Sequence, residues 1–230
     1  MSQERQSKDG TTALFREVNI YQTALNMALS NNIPEIVSVG CSTGEEVYSL
    51  AFLADQNSNV RFSGIDVNPA RIAAARQGQY VFDTSRQDSI RAKYNCALIS
   101  ERCNPVKRGT IWKVEVPDIL KSRISFAVHN MMQDPLSSPA DLIICANVLM
   151  HYWAYTDEDR AKSFAMERNL CDSLKPNGFL VMDEYSFEDV KDYFTPYFWT
   201  PRNDLRTQYP SQPQPTLFDE GIILQKNPAV

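Results

Sequence analysis

Apolar residues recur at helical spacing from Leu14 through Val18, Tyr21, Leu25 and Ala28, and the Asn31-Asn32 pair ahead of Pro34 stops the run. The spacing predicts a first helix that starts near Thr12. Ile36-Val-Ser-Val39 then reads as a buried strand, followed at once by the glycine turn Gly40-Cys-Ser-Thr-Gly44 and a helical run from Glu45 to about Asp55. A second strand, Val60-Arg-Phe-Ser-Gly-Ile65, ends on Asp66 and leads into an Ala/Arg-rich helix from Pro69 to Gln77. Strand, glycine turn, helix, strand, acid, helix is the opening of a doubly wound, Rossmann-like α/β sheet.

Residues 84–118 break that rhythm. Polar turns mix there with the alternating Ile111-Trp-Lys-Val-Glu-Val116, which predicts a small inserted segment containing β structure. The rhythm resumes with the strands Ile124-Ser-Phe-Ala-Val128 and Leu142-Ile-Ile-Cys145. A helix from near Thr156 is expected to end at Lys175-Pro-Asn-Gly178, ahead of the strand Phe179-Leu-Val-Met182. The stretch 185–215, rich in proline and aromatic residues, reads as a lid or a satellite core, and a closing strand is expected around Ile222-Ile-Leu224.

Composition narrows the classes. A chain of 230 residues, 43% hydrophobic and 22% charged, is long enough to bury a substantial core, and reads as a single domain over residues 11–230 behind a polar, disordered stretch at 1–10. The net charge of -5 comes with no block of Lys and Arg, which disfavours nucleic acid as a partner. The longest apolar stretches, such as residues 141–150, are too short to span a bilayer, and the polar N-terminus has no apolar h-region. The five cysteines, Cys41, Cys96, Cys103, Cys145 and Cys171, are scattered with no Cys-x-x-Cys pair, so free thiols in a reducing cytoplasm are expected and no metal site.

A glycine turn between strand and helix lets the backbone approach a ligand, and three ligands compete for this one. The dinucleotide fingerprint is missing, since Ser42 stands at its middle glycine. Gly40-x-Ser42-x-Gly44 also fits a hydrolase nucleophile elbow, with His129 or His151 as base, but the strands and oxyanion loop that should precede an elbow are lacking. The third ligand is S-adenosylmethionine, whose ribose hydroxyls an acid at the end of the second strand can accept. Asp66 stands there, with a helix N-cap as its alternative role.

The run Val37-Ser-Val-Gly-Cys-Ser-Thr-Gly-Glu-Glu-Val-Tyr-Ser-Leu-Ala51 closely resembles the motif of the chemotaxis-receptor glutamate methyltransferases, the CheR family. Thr12-Ala-Leu-Phe-Arg-Glu17, Gly64-Ile-Asp-Val-Asn68, Ala75-Arg-Gln-Gly-Gln-Tyr80, Asp141-Leu-Ile-Ile-Cys-Ala-Asn147 and Leu174-Lys-Pro-Asn-Gly178 follow in the family's order. The resemblance covers about Thr11 to Met182. It implies a class I methyltransferase sheet and S-adenosylmethionine as cofactor. Thr12 and Arg16 match residues that reach the cofactor and the active site, with Gly40, Ser42 and Gly44 in the glycine turn. Glu46 matches a glutamate near the cofactor's methionine part and Asp66 the ribose acid. Asn130 and Met131 match the pair that flanks the adenine, while Cys145 and Ala146 match positions that close over the cofactor through backbone contacts.

Departures from the family pattern point away from its substrate. The family's receptor-docking helical domain has no counterpart ahead of Thr11, its arginine is Ala146, its tyrosine near the methyl-transfer site is His151, and its Gly-His-Ser-Glu reads Asp183-Glu-Tyr-Ser186. The expected acceptor is therefore a small molecule or a protein other than a chemoreceptor, methylated on a carboxylate or hydroxyl oxygen, with Arg16 and His151 as catalytic residues. The competing expectations are a receptor-glutamate methyltransferase and a cofactor-binding regulatory or scaffold module without turnover.

Overall fold

A computed structural model describes residues 13–29, 34–54, 59–83, 90–149, 157–183, 199–201 and 221–226. In chain order the elements are α1 (Val18–Ala28), β1 (Glu35–Val39), α2 (Glu45–Leu53), β2 (Arg61–Asp66), α3 (Pro69–Gln77), β3 (Gln79–Asp83), α4 (Ile90–Cys103), β4 (Val106–Arg108) and β5 (Ile111–Glu115). They continue with α5 (Asp118–Lys121), β6 (Ile124–Val128), β7 (Ala140–Cys145), α6 (Asp157–Asp172), β8 (Leu174–Asp183), β9 (Trp199–Pro201) and β10 (Gly221–Lys226).

Seven strands form one sheet in the order β6-β2-β1-β7-β8-β10-β9. β6, β2, β1, β7 and β8 are mutually parallel, and β10 runs antiparallel to both β8 and β9. Because β2 lies to one side of β1 and β7 to the other, the strand order reverses at β1, and the crevice at the carboxyl ends there is the natural ligand position in such a sheet. This is the doubly wound α/β fold that the sequence predicts.

The apolar runs explain why these strands lie in the middle. In β1, Ile36 joins one buried cluster while Val37 and Val39 join the other, and β7 and β8 alternate in the same way. Side chains of α1, α2 and α3 fill the first cluster and side chains of α6 the second, so both faces of the sheet are covered. β3, β5 and β4 form a separate three-stranded antiparallel sheet, the expected β-containing segment, with Lys107 Nζ 4.1 Å above the centre of the Trp112 ring.

Several boundaries differ from the sequence reading. α1 begins at Val18, because Phe15 adopts a positive φ of 57° and cannot continue a helix. β3 and α4 were not anticipated. α6 ends at Asp172, and Lys175-Pro-Asn-Gly178 forms a register shift at the start of β8, with Asn177 at φ 63°, instead of stopping the helix. Residues 1–12 and His151 lie outside the described residues, as does 185–215 apart from β9. Among the described residues no helix is long and apolar enough to cross a membrane, and no acidic, histidine and cysteine group could hold a metal ion.

Candidate functional site

The crevice begins at the turn between β1 and α2. Gly40, Ser42 and Gly44 all take positive φ, at 69°, 52° and 91°. A Cβ at Gly40 would come within 2.4 Å of Val148 Cγ2, so only glycine lets the loop after β7 approach this closely. Asn147, beside Val148, also takes a positive φ of 54°. Both loops at the reversal point thus carry backbone strain in non-glycine residues, the kind that collects at functional sites.

Asp66 ends β2 and is 6% exposed. Its Oδ2 accepts the Ser42 N–H at 3.0 Å and its Oδ1 accepts the Asn68 N–H at 2.8 Å. The N-cap role belongs to Asn68, whose Oδ1 accepts from Ala70 N and Arg71 N at the start of α3. Asp66 therefore ties the glycine turn to the end of β2, and each carboxylate oxygen keeps a second lone pair for a hydroxyl donor.

Glu46 sits in the first turn of α2. Its Oε1 accepts the Ser38 hydroxyl at 2.7 Å and its Oε2 the Tyr21 hydroxyl at 2.5 Å. Burial raises its carboxyl above the ordinary glutamate range, against the Tyr21 and Ser38 hydrogen bonds and the Arg16 charge, which lower it. Burial likewise raises the neighbouring Glu45, whose carboxylate accepts the Thr43 hydroxyl at 2.6 Å. The Cys41 thiol is pushed far up by burial and then by Asp66 and Glu46, so this cysteine stays protonated and is no nucleophile.

Arg16 is one quarter exposed at its side chain and pairs with Glu17, Nε to Oε1 at 3.3 Å. Its position is set from α2: the Phe15 N–H donates to Ser49 Oγ at 2.7 Å, Ser49 donates in turn to the Glu45 carbonyl at 2.6 Å, and the Phe15 ring packs on Phe52 with centroids 6.0 Å apart. The loop after β6 is pinned from the opposite face. Asn169 of α6 donates to the Met131 carbonyl at 2.7 Å, and one turn later Ser173 Oγ accepts the Leu136 N–H at 2.8 Å.

The fold thus gathers Arg16, Gly40, Ser42, Gly44, Glu46, Asp66, Asn130, Ala146 and the backbone of Cys145 around the carboxyl ends of β1, β2, β6 and β7. Met131 and Cys145 are buried in the core, at 3% and 0% exposure, and the Met131 carbonyl is already the acceptor for Asn169. Thr12 and His151 lie outside the described residues. His129, a candidate hydrolase base, bonds the Asp134 carbonyl of its own loop through Nε2 at 2.9 Å. Tyr21, Ser38, Ser49 and Asn169 were missed in the sequence. Of these only Ser38 left a signal, a lone hydroxyl inside an apolar strand.

Residues 10–197 match the family model described as the CheR methyltransferase, SAM binding domain. The chain is 30% identical over 163 residues to Cher3 of Pseudomonas putida, covering 68% of this chain and 57% of that protein. It is 28% identical over 148 residues to the chemotaxis protein methyltransferase of Listeria innocua, covering 63% and 50%. It also resembles the crystal structure of the N-methyltransferase NodS from Bradyrhizobium japonicum, with 16% identity, a TM-score of 0.48 and coverage of 92% of this chain and 96% of that one. The chain spans about half the length of the curated relatives it matches. With the family model covering most of its length and the family's motif folded into the crevice at β1, this chain belongs to the CheR methyltransferases and carries their SAM-binding domain.

Proposed function

We propose that the protein is an S-adenosylmethionine-dependent methyltransferase that transfers the methyl group to a carboxylate or hydroxyl oxygen of a small molecule or of a protein other than a chemoreceptor. The observation that carries the cofactor reading is the pair of acceptors on either side of the glycine turn: Asp66, anchored by two backbone N–H groups, and Glu46, anchored by two hydroxyls. The residues present fit the cofactor. Asp66 has lone pairs for ribose hydroxyls, Glu46 is an acidic partner for a cationic methionine part, and Gly40 and Gly44 lack the Cβ atoms that would crowd the turn. Asn130 and the Met131 backbone would flank the base, and the backbone of Cys145 and Ala146 would close the other side.

When bound, the cofactor supplies a methyl group already activated by its sulfonium centre. What remains for the chain is placement and electrostatics. A carboxylate acceptor is ionised at neutral pH and needs no base, only a cation to hold it, and the partly exposed Arg16 guanidinium suits that role. A hydroxyl acceptor would need its proton removed, which is the part given to His151. Replacement of the family's arginine and tyrosine by Ala146 and His151 supports an acceptor other than a receptor glutamate.

The test is methyl transfer from labelled cofactor to receptor, metabolite and general protein fractions, together with calorimetric titration by S-adenosylhomocysteine. Label in the metabolite or non-receptor protein fraction is expected. Label confined to receptor glutamates would overturn the acceptor assignment. Binding with no transfer to any fraction would make the chain a cofactor-binding module.

A further inference from the structure

Asp66 and Glu46 are held differently. Asp66 is fixed by backbone N–H groups that the turn supplies whatever its side chains. Glu46 is fixed by two side-chain hydroxyls, from Tyr21 in α1 and Ser38 in β1, each 1% exposed. The Tyr21 ring belongs to the main buried cluster, where a phenylalanine of the same shape would also fit. Its hydroxyl, 25 positions from Glu46 in sequence, therefore serves the carboxylate more than the packing. Burial first, then the Glu46 and Glu17 charges, raise the Tyr21 phenol well above its ordinary value, so it stays protonated and donates around neutral pH. Among the described residues, the titratable groups around this carboxylate are Arg16 and Glu17 ahead of α1, Tyr21 in α1, Cys41 in the glycine turn and the adjacent Glu45.

We propose that Tyr21 is a positioning residue of the cofactor site, its hydroxyl holding the Glu46 carboxylate in one orientation as the counter-charge for a cationic group of the ligand, so that cofactor affinity depends on pH through this pair. The inference rests on the cofactor reading above. A carboxylate that accepts two hydroxyls keeps lone pairs for a third donor. The same hydrogen bonds favour the ionised form against burial, which disfavours it. Without the Tyr21 hydroxyl, Glu46 should hold its proton to higher pH and lose its fixed orientation.

The experiment is calorimetric titration of wild type, Tyr21→Phe and Glu46→Gln with S-adenosylhomocysteine between about pH 5 and pH 8. Wild-type affinity should rise with pH as Glu46 ionises. On the acid side of that rise binding should release protons, seen as different heats in buffers of different ionisation enthalpy. Tyr21→Phe should bind about tenfold more weakly near neutrality, the scale of one hydrogen bond to a charged group, and its pH midpoint should move upward. Glu46→Gln should flatten the profile. A Tyr21→Phe variant with wild-type affinity and midpoint overturns the assignment. So does an undiminished pH profile in Glu46→Gln or the absence of proton release in wild type, and both of these tests stand if Tyr21→Phe does not fold. Failure of the wild type to bind at any pH would instead sink the cofactor reading.

Discussion

The two ends of the parallel sheet hold their buried carboxylates by different means. At the amino ends, Asp141 of β7 accepts the Glu35 N–H at 2.9 Å and the Lys175 ammonium at 2.7 Å, tying the starts of β1, β7 and β8 together. Glu35 itself pairs with Arg61 at the start of β2. At the carboxyl ends, Asp66 and Glu46 receive backbone N–H and hydroxyl donors, while the nearby Arg16 pairs with Glu17. A carboxylate matched by a cation inside the fold serves stability. One whose hydrogen bonds come from hydroxyl and backbone N–H donors keeps lone pairs that a cationic ligand can meet, even with the Arg16 charge acting on Glu46.

The sharpest way to break this contrast is to remove one carboxylate at each end. Asp66→Ala should lower affinity for S-adenosylhomocysteine by about a hundredfold or more, since it deletes a charged acceptor and loosens the Ser42 turn. Calorimetry on protein whose fold is checked by circular dichroism measures this. Asp141→Ala should leave affinity within about twofold and instead cost about 2 kcal/mol of stability in denaturant titration. That is below the usual figure for a broken buried pair, because the Lys175 side chain is 41% exposed. If Asp141→Ala weakened the cofactor as much as Asp66→Ala, the division between the two ends would be wrong.

A smaller effect is expected where stability and site meet. Ser49 is fully buried and is the acceptor for the Phe15 N–H, at a residue already strained by its positive φ. Ser49→Ala should leave that N–H without its acceptor at a cost of about 1–2 kcal/mol, and should weaken cofactor binding several-fold through misplacement of Arg16. Equal loss of stability with unchanged affinity would confine Ser49 to the scaffold.

What was legible in the sequence divides along the same line. The glycine turn and the end of β2 at Asp66 could be read locally, because each is punctuated by Gly, Pro or Asn next to an apolar run, whereas the α3 cap, offered in the sequence as Asp66, falls to Asn68. α4 escaped, since Ile-Arg-Ala-Lys-Tyr-Asn-Cys-Ala-Leu-Ile-Ser-Glu-Arg-Cys has few strong apolar residues and draws support from the small sheet, through Ile99 and Cys103 in the core. The late start of α1 depends on an acceptor 34 residues away at Ser49, and Tyr21 fits the helical period simply as an apolar residue. Its bond to Glu46 is a tertiary fact that no local pattern carries.

The smallest effect concerns the unliganded protein. Burial raises the Glu46 carboxyl in the folded state, so between the unfolded glutamate value, about 4.3, and its folded value the native state binds more protons than the unfolded chain. Stability from this group is then fully present below the unfolded value and is lost as pH rises through the folded one. Glu46→Gln removes the group that resists ionisation, so the variant should gain on wild type in denaturant midpoint as pH is raised from about 4 to 8. Carboxylates such as Asp141 occur in both proteins and cancel in the difference, as does Glu45, whose shift has the same sign. The variant should thus be more stable and bind the cofactor less well. A constant difference in stability across that range would mean that burial does not hold Glu46 back from ionising, and the contrast between the two ends would then lie in geometry alone.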